Sequence, residues 1–511
     1  SYAVILSKGS CTDTSGCIRI NQCADSGTFQ WANTYESIIA NRRGFSGHKV
    51  KAFNESIYVT GGYAEKVIFG KDTLKSSNYP ADLFIQKLDS NGTHQWVLSM
   101  SALAFGSNLL VDKYENVYVS GIFNNEFILY DKDSNRYAHK PSKFNSTFIL
   151  KLSKRGIVKW IKFIDNKRQV GSSLNFSIAL DRYNNLYQTG YFGSFGDTVD
   201  FDPDAKNAHL IFTPKERTYI LKLDSLGDFV WVKILEEHNN SSWSESISII
   251  TKDSVIYISG TFDGKVDFNP KSGSNFSLSS SEQQIYVLKL NLEGEFLWVK
   301  GFGGLGASPT DITIDSHNNI ITLGYFTGTK DFDPSTNTNQ LTSNGLRDAF
   351  VNVLDRNGKQ LWAKNYGSQF YDYPQAIYVD DSNDIYVSGS FYSSLNKTTI
   401  YFKLGNTGVL KHEEHINSNY LKFNAKSIQS GSKKSLILTG YFKDTVDFNS
   451  SNCDDIRFGV GRFDYFILKL KKECSGCKIN SRINSKLYNR VFEINGLKQD
   501  DIDLINEKDL K

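Results

Sequence analysis

Residues 348–364 read Asp348-Ala-Phe-Val-Asn-Val-Leu354-Asp355-Arg-Asn-Gly358-Lys-Gln-Leu-Trp362-Ala-Lys364. A run of β-favouring residues, a short link ending in Gly and a second run built around Trp describe two antiparallel strands joined by a tight turn. Asp and Asn bond their own backbone in such a turn, and Gly takes the positive φ it demands. The unit recurs along the chain. Gly-x-x-x-Trp is found at Gly27–Trp31, Gly92–Trp96, Gly156–Trp160, Gly227–Trp231, Gly294–Trp298 and Gly358–Trp362. A seventh copy runs from Gly408 to His412, with His in place of Trp. Six of the protein's seven Trp thus share one repeat position, the mark of an array of similar units.

Further strands lie upstream of each pair. One ends in Gly-x-aromatic, as at Gly61–Tyr63, Gly190–Phe192, Gly324–Phe326 and Gly440–Phe442. Before it come a short apolar strand and an Asx-rich turn, such as Asp181–Asn185 or Asp315–Asn319. Each unit therefore predicts four antiparallel strands, a to d. No helical period of 3.6 interrupts them, which disfavours parallel βαβ folds. About seven four-stranded units predict an all-β, seven-bladed β-propeller. A β-solenoid would need shorter repeats without the hairpin meander.

Composition agrees. The 511 residues include 35 Phe and 27 Tyr but one Met and eight Pro, a strand-forming mixture. Basic and acidic side chains number 58 and 55, so the net charge of +3 carries no footprint for nucleic acid. No apolar run approaches the roughly 20 residues of a membrane helix, so a spanning segment is not expected.

The units resemble the secreted β-propeller repeats common in Bacteroidetes and related bacteria. The matching stretches are NIITLGYF, KDFDP and DAFVNVLDRNGKQLWAKNYGS in one unit, and NLYQTGYF, VDFDP and TYILKLDSLGDFVWVK in another. The resemblance covers residues 27–472 and implies the propeller fold and export, with a signal peptide already removed. It implies little about activity. The sixth unit departs from it, lacking the Asp-Phe segment and carrying His412.

The seventh unit ends at DYFILKL, Asp464–Leu470, without a Trp strand, while the Trp strand at 28–37 stands alone near the N-terminus. Pairing the two completes the last blade and removes an open edge. The six Cys cluster near the ends, at positions 11, 17, 23, 453, 474 and 477. An even count so placed suggests disulfides in an oxidising compartment, with a zinc site as the rival. Closure would bring Cys23 near Cys474 or Cys477, and a bond from Cys23 to one of them is expected. The organisation predicted is an extra strand and Cys-rich insertion at 1–26, a propeller at 27–477 and a tail or linker at 478–511. Residues 2–7, YAVILS, resemble an eighth c strand.

Three groups of residues are candidates for chemistry or binding. The Trp ladder is expected to pack blade against blade, because it recurs in every unit. Asp200 and Asp202, and likewise Asp331 and Asp333, could supply oxygen ligands to Ca²⁺; otherwise they terminate strands as Asx turns before Pro. His412-Glu-Glu-His415 lacks the spacing of a helical metal motif. In an up-and-down blade the long b–c and d–a loops share one face, the usual place for binding. There Arg42, Arg43, Lys167, Arg168, Trp243, Phe370, Tyr371 and Tyr373 are the candidate contacts to a protein or glycan. The expectation is a secreted or cell-surface binding module, for adhesion or within an outer-membrane assembly. The alternatives are an extracellular enzyme acting on polysaccharide or peptide, and a structural scaffold.

Overall fold

The computed structural model describes residues 29–471, apart from 36–45, 77–80, 102, 124–125, 142–145, 167–175, 193–196, 205–206, 214–215, 238–241, 272–275, 393–396, 418–422, 433, 450–454 and 459–462. Those residues form seven antiparallel sheets whose strands follow the order a, b, c, d. Blade one is Ser46–Phe53, Ser56–Tyr63, Asp82–Asp89 and His94–Met100. Blade two is Leu103–Val111, Val117–Phe123, Ser146–Leu152 and Val158–Asn166. Blade three is Phe176–Leu180, Leu186–Phe192, Arg217–Leu223 and Phe229–Ile234. Blade four is Trp243–Lys252, Val255–Asp267, Ser277–Asn291 and Phe296–Phe302. Blade five is Ser308–Ile314, Ile320–Phe326, Asp348–Leu354 and Gln360–Tyr366. Blade six is Tyr373–Val379, Ile385–Tyr392, Lys397–Leu404 and Leu410–Asn417.

Blade seven takes Phe423–Gly431, Ser435–Phe442 and Asp464–Lys471 from one end of the chain and Phe29–Tyr35 from the other. The register runs antiparallel from Phe29 opposite Leu470 to Tyr35 opposite Tyr465, the pairing that counting strands had required. Blades seven and one are then neighbours: the Val50 amide donates to Ser427 Oγ at 3.2 Å. The protein is a seven-bladed β-propeller. Among the described residues no helix is long and apolar enough to cross a membrane.

Packing explains the repeat residue by residue. The b and c strands lie in mid-sheet and are covered on both faces, so Ser146–Leu152 and Asp348–Leu354 are buried along their whole length. The d strands lie further out and are mostly half-covered, as in Gln360–Tyr366, where Leu361 is exposed and Ala363 buried. The c–d turn is an Asx turn: Asp355 Oδ1 accepts the amides of Asn357 at 2.8 Å and Lys359 at 2.9 Å.

Each Trp faces the turn of the next blade. The indole N–H of Trp96 donates to Lys154 O, that of Trp160 to Ser225 O and that of Trp362 to Asn406 O, at 3.2, 3.3 and 2.9 Å. The accepting residue stands two places before the Gly of Gly-x-x-x-Trp. That Gly has φ between +73° and +85° at the six described positions and lies close to a side chain from the blade before. A Cβ on Gly92 would lie 3.1 Å from the Trp31 ring. The Trp ladder is therefore interblade packing, as the repeat implied. His412 occupies the position facing blade seven, whose c and d strands come from opposite chain ends and share no hairpin turn.

The Asp-Phe segments begin hairpins between strands b and c. In blade three Asp197–Asp200 pairs with Leu210–Thr213, and Asp200 pairs with Asp165 on the outer strand of blade two. In blade seven Thr445–Asp447 pairs with Ile456–Phe458, and Asp447 meets Asn417 of blade six. Each hairpin thus straps its blade to the one before. Phe201, Phe268, Phe332 and Phe448 are buried under the straps, and the Phe332 ring centre lies 4.7 Å from that of Phe350. Asp200 Oδ1 accepts the amides of Asp202 and His209, and Asp331 Oδ1 those of Asp333 and Asn339. Asp202 and Asp333 close the following turns through Asp204 N and Ser335 N, both at 2.9 Å. Among the described residues no group of three or more His, Cys, Asp or Glu is placed to hold a metal ion.

Candidate functional site

The starts of the inner strands carry the least repetitive chemistry of the molecule. Each of five a strands breaks its register against strand b at one equivalent point, so that one residue bulges: His48, Ile247, Thr310, Gln375 or Lys426. A bulge leaves that residue unpaired and re-aims its side chain. The residue after the bulge, and its equivalent Ser177 in unbulged blade three, laces the inner strands together. Ser177 Oγ accepts Ile249 N, Asp311 Oδ2 accepts Ile377 N and Ser427 Oγ accepts Val50 N, all at 3.2–3.3 Å.

In blades seven and one these positions are basic. Lys426 Nζ donates to Gln375 Oε1 and Lys51 Nζ to Gln429 Oε1, both at 3.0 Å, so each ammonium rests on a neutral amide. Burial, reinforced by the charge of Lys49, lowers the pKa of both lysines, while Asp311 opposes the shift at Lys51. Burial also pushes His48 down to about 3, with Lys426 and Lys49 adding to the effect, so its imidazole is neutral at physiological pH. These four groups form one electrostatic cluster, half-exposed at the inner strands.

An aromatic wall adjoins it. Lys426 Nζ lies 5.8 Å from the ring centre of Tyr441, whose hydroxyl is raised first by burial and also by nearby Tyr373. Tyr371 and Tyr373 stack with ring centres 6.3 Å apart. The guanidinium carbon of Arg347 lies 4.2 Å from the ring centre of Tyr325 and 5.5 Å from those of Tyr371 and Tyr373. Arg347 Nε is buried without a hydrogen-bond partner. None of Arg347, Lys49, Lys51 and Lys426 forms an ion pair with a described carboxylate. Other cations pair with carboxylates, as Lys87 with Glu115 at 3.1 Å and Lys403 with Asp384 at 2.9 Å, or rest on backbone carbonyls, as Lys151 on Ser225 O and Lys289 on Arg356 O.

Of the contacts expected from sequence, Phe370, Tyr371 and Tyr373 belong to this site. The Arg347 amide donates to Phe370 O at 3.4 Å, and Tyr371 is 37% exposed. Trp243 is separate: it opens the inner strand of blade four, pairs with Asp263 and is half-buried. Arg42, Arg43, Lys167 and Arg168 lie outside the described residues, as do Cys23, Cys474 and Cys477. Sequence reading missed Arg347, Tyr325, Lys49, Lys51 and Lys426. Their signal was available in the aligned inner strands, where Lys49 and Lys426 stand at positions held elsewhere by Ser248 and Ile247.

The fold and site define a β-propeller whose inner strands carry a cationic cluster beside stacked tyrosines, with Arg347, Lys49, Lys51 and Lys426 in no ion pair among the described residues. No family model matches the chain. An uncharacterized WD repeat-containing protein of Acanthamoeba polyphaga mimivirus is 24% identical over 388 residues, covering 64% of this chain and 27% of that protein. The chain thus spans about a quarter of that relative's length. Among solved structures, a PL25 ulvan lyase bound to a GlcA–Rha3S unit is similar over 81% of this chain and 92% of that chain, with 11% identity and a TM-score of 0.39. A streptogramin B lyase is similar over 87% of this chain and all of that one, with 10% identity and a TM-score of 0.40. The NanB sialidase from Streptococcus pneumoniae covers 87% of this chain and 71% of its own, with 9% identity and a TM-score of 0.37.

Proposed function

We propose that the protein is a secreted or cell-surface binding module, and that its ligand is an acidic glycan received at the Arg347–Lys426–Lys51 site. One observation carries this reading: four half-buried cations lack a described carboxylate partner, although burial already opposes the charge on Lys51 and Lys426. Unpaired, partly desolvated cations are costly, and a ligand carboxylate or sulfate would relieve that cost through charge-assisted bonds. The guanidinium of Arg347 suits planar, two-point recognition of an oxyanion. Tyr371 offers an exposed ring beside it for the apolar face of a sugar. The surface as a whole is near charge balance, so attraction is local.

A panel of uronate-bearing, sulfated and neutral oligosaccharides tests this by calorimetry. Acidic members should bind, more weakly as salt rises, and be recovered intact. Arg347→Ala and Lys426→Met should each weaken binding about tenfold, the loss of one charge-assisted bond, without lowering the melting temperature. Equal binding of neutral and acidic members, preference for an acidic peptide, or binding indifferent to both substitutions would refute it.

A further inference from the structure

Beneath the Arg347–tyrosine wall two acids face each other. Asp348 opens strand c of blade five, and Asp372 immediately precedes strand a of blade six; both are fully buried. Asp348 Oδ2 accepts the Asn344 amide at 3.0 Å and Asn365 Nδ2 at 2.9 Å, but its Oδ1 has no hydrogen-bond partner. Asp372 Oδ1 accepts the Tyr392 amide at 3.1 Å, and Oδ2 accepts that of Ser368 at 2.6 Å. The two carboxylates converge over Gly367. A Cβ there would lie 2.5 Å from Asp348 Oδ1 and 2.7 Å from Asp372 Oδ2.

Strand c opens on a buried Asp in blades one, five and seven, at Asp82, Asp348 and Asp464, and on Arg217 in blade three. At the equivalent corner of blades three and four, Arg217 opens strand c and lies 3.7 Å from Glu237, which also accepts Ser244 Oγ at 3.1 Å. Acid meets base there. At the corner of blades five and six two acids meet, and Arg347 beside Asp348 points its guanidinium at the tyrosines. Two ionised carboxylates cannot sit so close in a buried site without neutralisation.

We propose that Asp348 and Asp372 share one proton, and that this proton holds the Arg347–tyrosine half of the binding site closed. Protonated Asp372 would donate to the otherwise unpartnered Asp348 Oδ1. The same two segments are joined by the backbone, since Asp372 N donates to Arg347 O at 3.0 Å. Asp372 lies between Tyr371 and Tyr373, and Asp348 follows Arg347. Loss of the proton to solvent places like charges at this seam and separates the guanidinium from the rings. The electrostatics agree: burial, with Asp348's charge adding, raises Asp372 to about 7 against the pull of the Ser368 and Tyr392 amides. The groups facing Asp372 are thus Asp348, Ser368 and the Tyr392 amide, with Arg347, Tyr371 and Tyr373 alongside.

This regulation rests on the binding reading above, so the test has two independent readouts. Infrared difference spectra of the full chain against Asp372→Asn should show a protonated carboxyl band at pH 6 that fades by pH 8. Acidic oligosaccharide affinity should fall roughly tenfold over that range in the wild type and stay level in Asp372→Asn, whose amide can donate to Asp348 permanently. If no glycan binds at any pH, the binding reading fails while the infrared titration still judges the shared proton. A missing band would overturn the proposal, as would stabilisation by Ca²⁺ that Asp348→Asn abolishes, because a cation would then replace the proton. A titrating band with affinity indifferent to pH would overturn the latch.

Discussion

Substituting Gly92 by Ala tests how blades seven and one are joined. Gly92 has φ +83°, where an L side chain costs about 1–2 kcal/mol. The new Cβ would also lie 3.1 Å from the Trp31 ring and 3.0 Å from Asn33 Nδ2, which donates to Gly92 O at 2.7 Å. Ring and amide can retreat only by loosening the N-terminal strand, a strain of about 1–3 kcal/mol. The total expected is about 2–5 kcal/mol. Gly358 is the control. Its φ is similar, +81°, but an added Cβ meets first the Lys300 side chain, which is flexible and can move. Gly358→Ala should therefore cost only the backbone share, about 1–2 kcal/mol. Urea unfolding followed by fluorescence would measure both, and a cycle with Trp31→Ala would isolate the ring contact. The cycle should show at least about 1 kcal/mol of coupling, because removing the ring removes the clash. Equal losses for the two Gly substitutions, together with additivity between Gly92→Ala and Trp31→Ala, would refute the reasoning.

Phe332→Ala should destabilise the fold by about 3–5 kcal/mol, since it empties a buried position against Phe326 and Phe350; Phe212→Ala, 55% exposed on the outer strap strand, should fall within about 0.5 kcal/mol. Thermal unfolding of the two variants side by side checks the contrast. His412→Trp should leave stability within about 0.5 kcal/mol of wild type, because among the described residues blade seven offers no c–d turn for an indole N–H to bond. Stability of the wild type should fall as pH rises from about 4 to about 7 and then level off. The folded state keeps the Asp372 proton over that range while the unfolded chain has lost it, and Asp372→Asn should flatten the slope.

Some of this was open to reading because it repeats over short distances. Strands, Asx turns and positive-φ glycines depend on neighbours a few residues apart, so Asp355–Gly358 or Asp315–Asn319 declare themselves in one dimension. Even the joining of Phe29–Tyr35 to Asp464–Lys471 followed from counting strands, since a four-stranded unit short of one strand has only one candidate to complete it.

The candidate site was hidden for the opposite reason. Its residues break the repeat, and they come from Lys49, Arg347, Tyr371 and Lys426 on four different blades. Phe370, Tyr371 and Tyr373, named from the sequence, lie beside Arg347, while Trp243 stands apart on blade four although it too lies between strands d and a. Nothing local says that the Arg347 guanidinium turns to Tyr325 while its neighbour Asp348 turns to Asp372.

The sequence by itself determined the all-β propeller, its seven blades and the strand that completes the last one, because a periodic pattern of burial and turn chemistry specifies each unit independently. Only the tertiary structure decided which side chains meet at the inner strands, which cations are left without a described carboxylate and where two acids converge. Those outcomes depend on bulges, on strand register and on the contact of one blade with the next.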